Sequence, residues 1–352
     1  MAEMKKQYYA IDFMKCALAI LLVCAHVSSE KLSFPVYIDI WFSFYIIAVP
    51  FFFTTSSYFF FKKIQNQTNK GAMTSIYIHY TKRLLKMYLA WSVIYTLFKV
   101  AQWIQTDTFS LSKFTQHIYY SIVYSSYPTI WFLPALWLSV SIVYLLLYEW
   151  SLSPKSVLVV CTILFLICWV GGTFPNDFFS FPPIRDWYLH YFKSFRNGLF
   201  YGPLLVGIGA YMAINNKFED NKSVTKYYIL SAVFMVMFVA EAFLTKQFIN
   251  PKVDANYVFM LVPFTYVFVI ALSKTTLQPR KLYMQCRNLS LLLFLSQRIF
   301  ITAIPALLPT SIVVILTQNP YWGLCIFLGS TILFSIIIVL LTKKMPWLKI
   351  LW

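Results

Sequence analysis

Asp12-Phe13-Met14-Lys15-Cys16-Ala17-Leu18-Ala19-Ile20-Leu21-Leu22-Val23-Cys24-Ala25-His26 sets a carboxylate, an ammonium and an imidazole inside an apolar run of membrane-crossing length. Ionisable groups in hydrocarbon are expensive and point first to function. At about 100° per residue, the steps from Lys15 to His26 add roughly 1100°, close to three full turns, so both side chains share one helix face. Asp12, three residues before Lys15, lies on that face within side-chain reach. His26 sits about 16 Å further along the axis at ~1.5 Å per residue. The stretch therefore reads as a helix with a polar stripe. A plainer reading is a snorkelling Lys15 paired with Asp12 at the membrane edge and a His26 bonded to a neighbouring helix.

The rest of the chain fits a membrane setting. Of its 352 residues 60% are hydrophobic and only 12% charged, against roughly 45–50% apolar and about 25% charged in soluble domains. Apolar runs recur at 9–28, 40–61, 86–104, 130–149, 157–174, 197–214, 227–245, 256–273, 289–309 and 322–342, each near the ~20 residues a bilayer requires. The sequence predicts an all-α polytopic membrane protein of about ten transmembrane helices, forming one domain over residues 1–352. The first run has no small-residue cleavage site and reads as retained structure. Cys16, Cys24, Cys161, Cys168, Cys286 and Cys325 show neither a disulfide framework nor metal-ligand spacing, and no metal is expected.

The net charge of +17 bears on sidedness rather than on nucleic acid, which is not expected as a partner. With the N-terminus inside, most Lys and Arg fall in cytoplasmic segments, among them Lys62, Lys63, Lys82, Arg83, Lys86, Lys222, Lys226, Lys281, Arg287, Lys343 and Lys344. The outer segments hold Lys31, Lys113, Arg185, Lys193, Lys246 and Lys252. This asymmetry predicts cytoplasmic N- and C-termini in a cell (plasma) membrane. Lys15, Lys99, Arg196 and Arg298 remain, inside a span or at its edge, where charge usually faces a cavity or a partner. Between Pro175 and Phe195 the longest outer loop carries Asp177, Arg185, Asp186, Tyr188, His190 and Tyr191; its aromatics suit either a sugar or an interfacial belt. His79, His117 and His190 read as loop or interfacial residues, and Glu149 and Glu241 have no motif around them. No phosphate-cradling glycine loop or Gly-x-Ser-x-Gly elbow occurs.

Several of these stretches, taken in order, resemble the acyltransferase-3 family. Its first helix carries an Asp, then Arg or Lys, ten residues and a His, here Asp12, Lys15 and His26. Val49-Pro50-Phe51-Phe52-Phe53-Thr54-Thr55-Ser56-Ser57-Tyr58 is similar to its second helix, and Lys82-Arg83-Leu84-Leu85-Lys86 to the basic start of its third. Trp131-Phe132-Leu133-Pro134-Ala135-Leu136 is similar to its fourth, and Arg196-Asn197-Gly198-Leu199-Phe200-Tyr201-Gly202 to the start of its sixth. Two departures stand out: Ser57 replaces a usual Gly, and Gln297 stands where the segment Ser290 to Gln297 commonly ends in His.

The resemblance implies a bacterial membrane O-acyltransferase without an appended extracytoplasmic hydrolase-like domain. It would move an acetyl or other short acyl group from cytoplasmic acyl-CoA to a hydroxyl of a cell-surface polysaccharide or glycolipid. On that reading His26, with an unperturbed pKa near 6.5, is the base, and Asp12 and Lys15 complete the catalytic set. Lys82, Arg83 and Lys86 would meet the CoA phosphates, or else lipid headgroups. Arg196 and Trp131 are the candidate substrate-binding residues. An amino-acid transporter or a polysaccharide-export accessory protein on the same fold is the alternative.

Overall fold

The computed structural model describes residues 7–174, 182–220, 222–251 and 255–352; Asp177 and Lys252 lie outside them. Its helices are α1 (Tyr9–Lys31), α2 (Val36–Ser43), α3 (Ala48–Gln65), α4 (Lys70–Gln105), α5 (Leu111–Val123), α6 (Phe132–Tyr144), α7 (Pro154–Thr173), α8 (Pro182–Phe192), α9 (Gly202–Ile214), α10 (Val224–Leu244), α11 (Leu261–Lys274), α12 (Lys281–Arg298), α13 (Thr310–Thr317) and α14 (Pro320–Leu341). No strand occurs among the described residues. The protein is an all-α polytopic membrane protein, with eight helical segments among the described residues long and apolar enough to cross a bilayer.

Each of the ten apolar runs contains helix, but two are not uninterrupted spans. α9 and α11 have 13 and 14 residues, about 20 Å of rise against a hydrocarbon core of ~30 Å. Both begin after irregular backbone, which at membrane depth persists only where protein satisfies its polar groups. Before α9, the Asn197 side chain accepts from the N–H groups of Leu199 (2.9 Å) and Phe200 (3.1 Å) and donates to Ser194 O (2.9 Å) and to the Tyr188 hydroxyl. Before α11, Glu241 reaches over from α10. Its two oxygens accept from Phe259 N (2.8 Å) and Met260 N (2.7 Å), and Trp169 Nε1 donates to it at 3.2 Å. A carboxylate there satisfies free amides and complements the helix dipole, which gives Glu241 a structural role that its sequence neighbours do not show.

α9 is apolar all round and buried along nearly its whole length, as such helices are. It lies against α3, itself buried over most of its length. Glycines set how closely they pack. A Cβ at Gly209 would sit 1.9 Å from Ser57 Oγ and 2.5 Å from Thr54 O, so Gly209 provides the room that Ser57 takes up on α3.

α4 has 36 residues and is capped by Asn69, whose side chain accepts from Gly71 N at 2.8 Å. The basic cluster expected at the start of a span at 86 therefore lies inside a continuous helix; Lys82 is about 18 Å from its first residue. Polar clasps gather the ends of α3, α4, α9 and α11 on one side: Lys62 with Asn216 (2.7 Å) and Glu219 (3.3 Å), Lys70 with Glu149 (2.8 Å), and Lys274 with Asp220 (2.5 Å). We refer to this as the basic side.

Candidate active site

α1 and α12 pack side by side and carry the polar centre. His26 Nδ1 lies 2.8 Å from Gln297 Oε1. The Gln297 amide is oriented by a second bond, from its Nε2 to Phe294 O at 2.9 Å, and the residue is fully buried. With the NH₂ committed to a carbonyl, only the oxygen faces the ring. His26 Nδ1 must then be the donor, and in the neutral imidazole Nε2 keeps its lone pair. The ring also packs near Tyr45, centroids 5.7 Å apart.

Two guanidiniums lie within electrostatic reach of that imidazole, Arg298 and Arg196. Arg298 follows Gln297 and is buried; its Nε donates to Thr129 Oγ1 at 3.2 Å. The helix then widens into a π turn at Ile299–Ala303, a distortion common at functional sites. Tyr95 fastens this region to α4 by donating to Leu295 O (2.6 Å), stacks on Tyr127 (4.3 Å), and Tyr127 meets Thr302 Oγ1 at 2.7 Å. Arg196 lies in the irregular stretch before α9, its guanidinium 5.0 Å from the centre of the Trp131 ring, within cation–π range.

On the basic side a cavity of about 700 Å³ opens between α1, α3, α4, α6 and α12. Lys15, Lys63, His79, Arg83 and Arg287 line it together with Ser56, Ser75 and Asn288. Lys15 sits 5.4 Å from the Phe59 ring centre, and Asp12 and Arg287 act on its charge. Phe52, Phe132 and Phe294 also line the cavity and pack on one another, with centroids 5.4 to 6.3 Å apart. Gln297 lies one helical turn beyond Phe294, so the aromatic cluster stands between this cavity and His26. A basic cavity aligned with an imidazole at membrane depth is an arrangement suited to acyl transfer.

The family model described as an acyltransferase domain, that of acyltransferase-3, matches residues 8–340. The chain belongs to the acyltransferase-3 family. No match was found among curated proteins or among solved structures. The match runs through all the stretches that resemble the family, and makes this protein a membrane acyltransferase.

Within that acyltransferase-3 fold the candidate residues fall into two groups. Lys15 and Arg83 share the basic cavity, with Asp12 beside Lys15. Arg196 stands over the Trp131 ring and lies within electrostatic reach of His26, and none of these three lines the cavity. Lys82 and Lys86 are exposed on α4 and do not line it either. His79, read as a loop or interfacial residue, lies on α4 and lines the cavity. His117 is on α5, bonded to Thr96 Oγ1 at 3.0 Å. Sequence reasoning did not assign Arg287, Lys63 or Arg298. Arg298 was visible as a charge inside a span, next to Gln297 in an otherwise apolar run; Arg287 and Lys63 look like ordinary basic-side anchors until the helices are assembled. Among the described residues no three His, Cys, Asp or Glu come together as metal ligands.

Proposed function

We propose that this membrane acyltransferase takes its acyl group from an acyl-CoA, acetyl-CoA being the simplest, and passes it to a hydroxyl of an extracytoplasmic glycan or glycolipid. The basic side is then cytoplasmic, both termini lie there, and the membrane is the plasma membrane. The observation that supports this reading is the alignment along α1 and α12: the cationic cavity at Lys15, Arg83 and Arg287, the aromatic cluster, then His26 held by Gln297. Phosphates of CoA suit the guanidiniums of Arg83 and Arg287, which bind them with charge-assisted, bidentate bonds. The apolar inner part of the cavity suits the pantetheine arm, whose thioester then reaches Phe294.

The chemistry follows from the tautomer. His26 Nε2 takes the proton of the acceptor hydroxyl as its oxygen attacks the thioester carbonyl. The new C–O bond forms, the C–S bond breaks, and the proton passes to the departing thiolate, giving an ester and free CoA. Arg298 and Arg196, near the ring, are placed to stabilise the oxyanion that develops on the carbonyl. Phe52, Phe132 or Phe294 must rotate for the thioester to meet His26. Family membership favours this covalent reading over a transporter.

Membrane vesicles that retain their own surface glycans test the reading. Radiolabelled acetyl-CoA offered to the basic side should label the glycan, and the same donor offered to the opposite side should not. Labelling from the opposite side alone would reverse the proposed direction.

A further inference from the structure

A second cavity, of about 530 Å³, lies between α4, α5 and α6. Leu85, Leu89, Val93 and Leu97 from α4 and Ile118 and Ile122 from α5 form most of its apolar wall. These side chains are exposed on the protein surface and so meet hydrocarbon in a bilayer. The hydroxyls in the wall are already engaged. Thr96 pairs with His117, Ser121 donates to His117 O at 2.7 Å, and Ser92 accepts from Ser126 at 2.8 Å. The wall is overwhelmingly apolar and suits a hydrocarbon chain.

Its inner end meets the basic cavity. Leu84 and Leu133 line both, so two leucine side chains from neighbouring helices are what the spaces share. From Leu84 to Leu97 the groove follows α4 for about 20 Å, more than half of a ~30 Å hydrocarbon core and enough to take an extended long acyl chain. We infer that the groove is an acyl-chain site: the donor range extends to long-chain acyl-CoA, with the thioester at the Phe52, Phe132 and Phe294 end and the chain leaving between Leu84 and Leu133 toward the lipid. This rests on the basic cavity being the donor site.

The test is displacement of labelled CoA from the full chain in nanodiscs of uncharged lipid by unlabelled CoA, acetyl-CoA and palmitoyl-CoA, with protein-free discs correcting for partition. Palmitoyl-CoA should compete at least tenfold better than acetyl-CoA. Val93→Trp and Leu89→Trp, on the lipid-exposed wall, should each abolish that advantage while leaving CoA and acetyl-CoA unchanged. Equal competition by both thioesters would overturn the acyl-chain site and leave the donor cavity standing. An advantage that survives both substitutions would also overturn it, since the chain then lies elsewhere and the groove holds only bilayer lipid. Failure of the protein to bind labelled CoA at all would instead remove the donor cavity on which the inference rests.

Discussion

Gln297 holds His26 by its side-chain oxygen, 2.8 Å from Nδ1, while its own NH₂ is tied to Phe294 O. The second bond makes the first one directional: the amide cannot turn its nitrogen to the ring without losing the carbonyl. Gln297→Met removes the acceptor at similar size and leaves a buried donor unsatisfied, a cost of ~1–3 kcal/mol, so kcat for acyl transfer should fall roughly 10- to 100-fold. Gln297→Glu still accepts from Nδ1 but sets a second acceptor oxygen against Phe294 O, so it should recover only part of the loss. Steady-state kinetics of both variants at matched expression decide it; equal activity of the Met variant and the wild type would deny Gln297 a positioning role.

The basic cavity separates residues that the sequence places side by side. Arg83 lines it and its neighbours Lys82 and Lys86 do not. Arg83→Ala and Arg287→Ala should each raise KM for acetyl-CoA about tenfold, as expected for loss of a hydrogen bond to a charged group worth ~1.5–3 kcal/mol. Lys82→Ala and Lys86→Ala should stay near wild type. A KM series in which all four variants weaken alike would point to general surface attraction instead of a seated phosphate.

Close packing of α3 on α9 gives a stability prediction. Gly209→Ala drives a methyl group to 2.5 Å from the Thr54 carbonyl, a backbone atom that cannot step aside. Overpacking of this kind costs ~1–3 kcal/mol, visible as a lower Tm in detergent. Gly329 on α14 is the control, since nothing lies within 4 Å of a Cβ built there; Gly329→Ala should leave Tm unchanged or raise it.

The α9–α10 connection carries a pH dependence. Burial pushes the Asp220 carboxyl up, but bonds from Lys274, Tyr227 and the Lys222 N–H outweigh it and hold the group below the ordinary carboxylate value. A depressed carboxyl contributes stability that is fully present above its unfolded value, ~3.9, and lost as pH falls through the lower folded value. Thermal unfolding followed from pH 7 to below 4 should show Tm declining at the acid end, and Asp220→Asn should lower Tm at pH 7 and flatten that decline. An unchanged acid limb in the variant would place the pH sensitivity elsewhere.

Much of the fold is legible in composition and apolar periodicity because bilayer thickness dictates segment length, and each apolar run does contain helix. The two short helices escaped because a run of apolar residues does not reveal where its helix starts. Asn197 and Glu241 decide that, and Glu241 acts from another helix. The polar face of α1 was readable because Asp12, Lys15 and His26 repeat at helical spacing. Its division into a cavity end at Lys15 and a buried imidazole at His26 was not, since the aromatic cluster at the cavity's inner end comes from α3, α6 and α12. Gln297 was visible only as a departure from the family pattern; its value as the partner of His26 required the α1–α12 register.

The most direct test is transfer of radiolabel from acetyl-CoA to surface glycan in vesicles carrying either wild type or His26→Ala at equal levels. Loss of the proposed base should reduce the rate by about 10² to 10⁴ while labelled CoA still binds the basic cavity, which His26 does not line. Undiminished labelling by the His26→Ala variant would contradict catalysis at this imidazole.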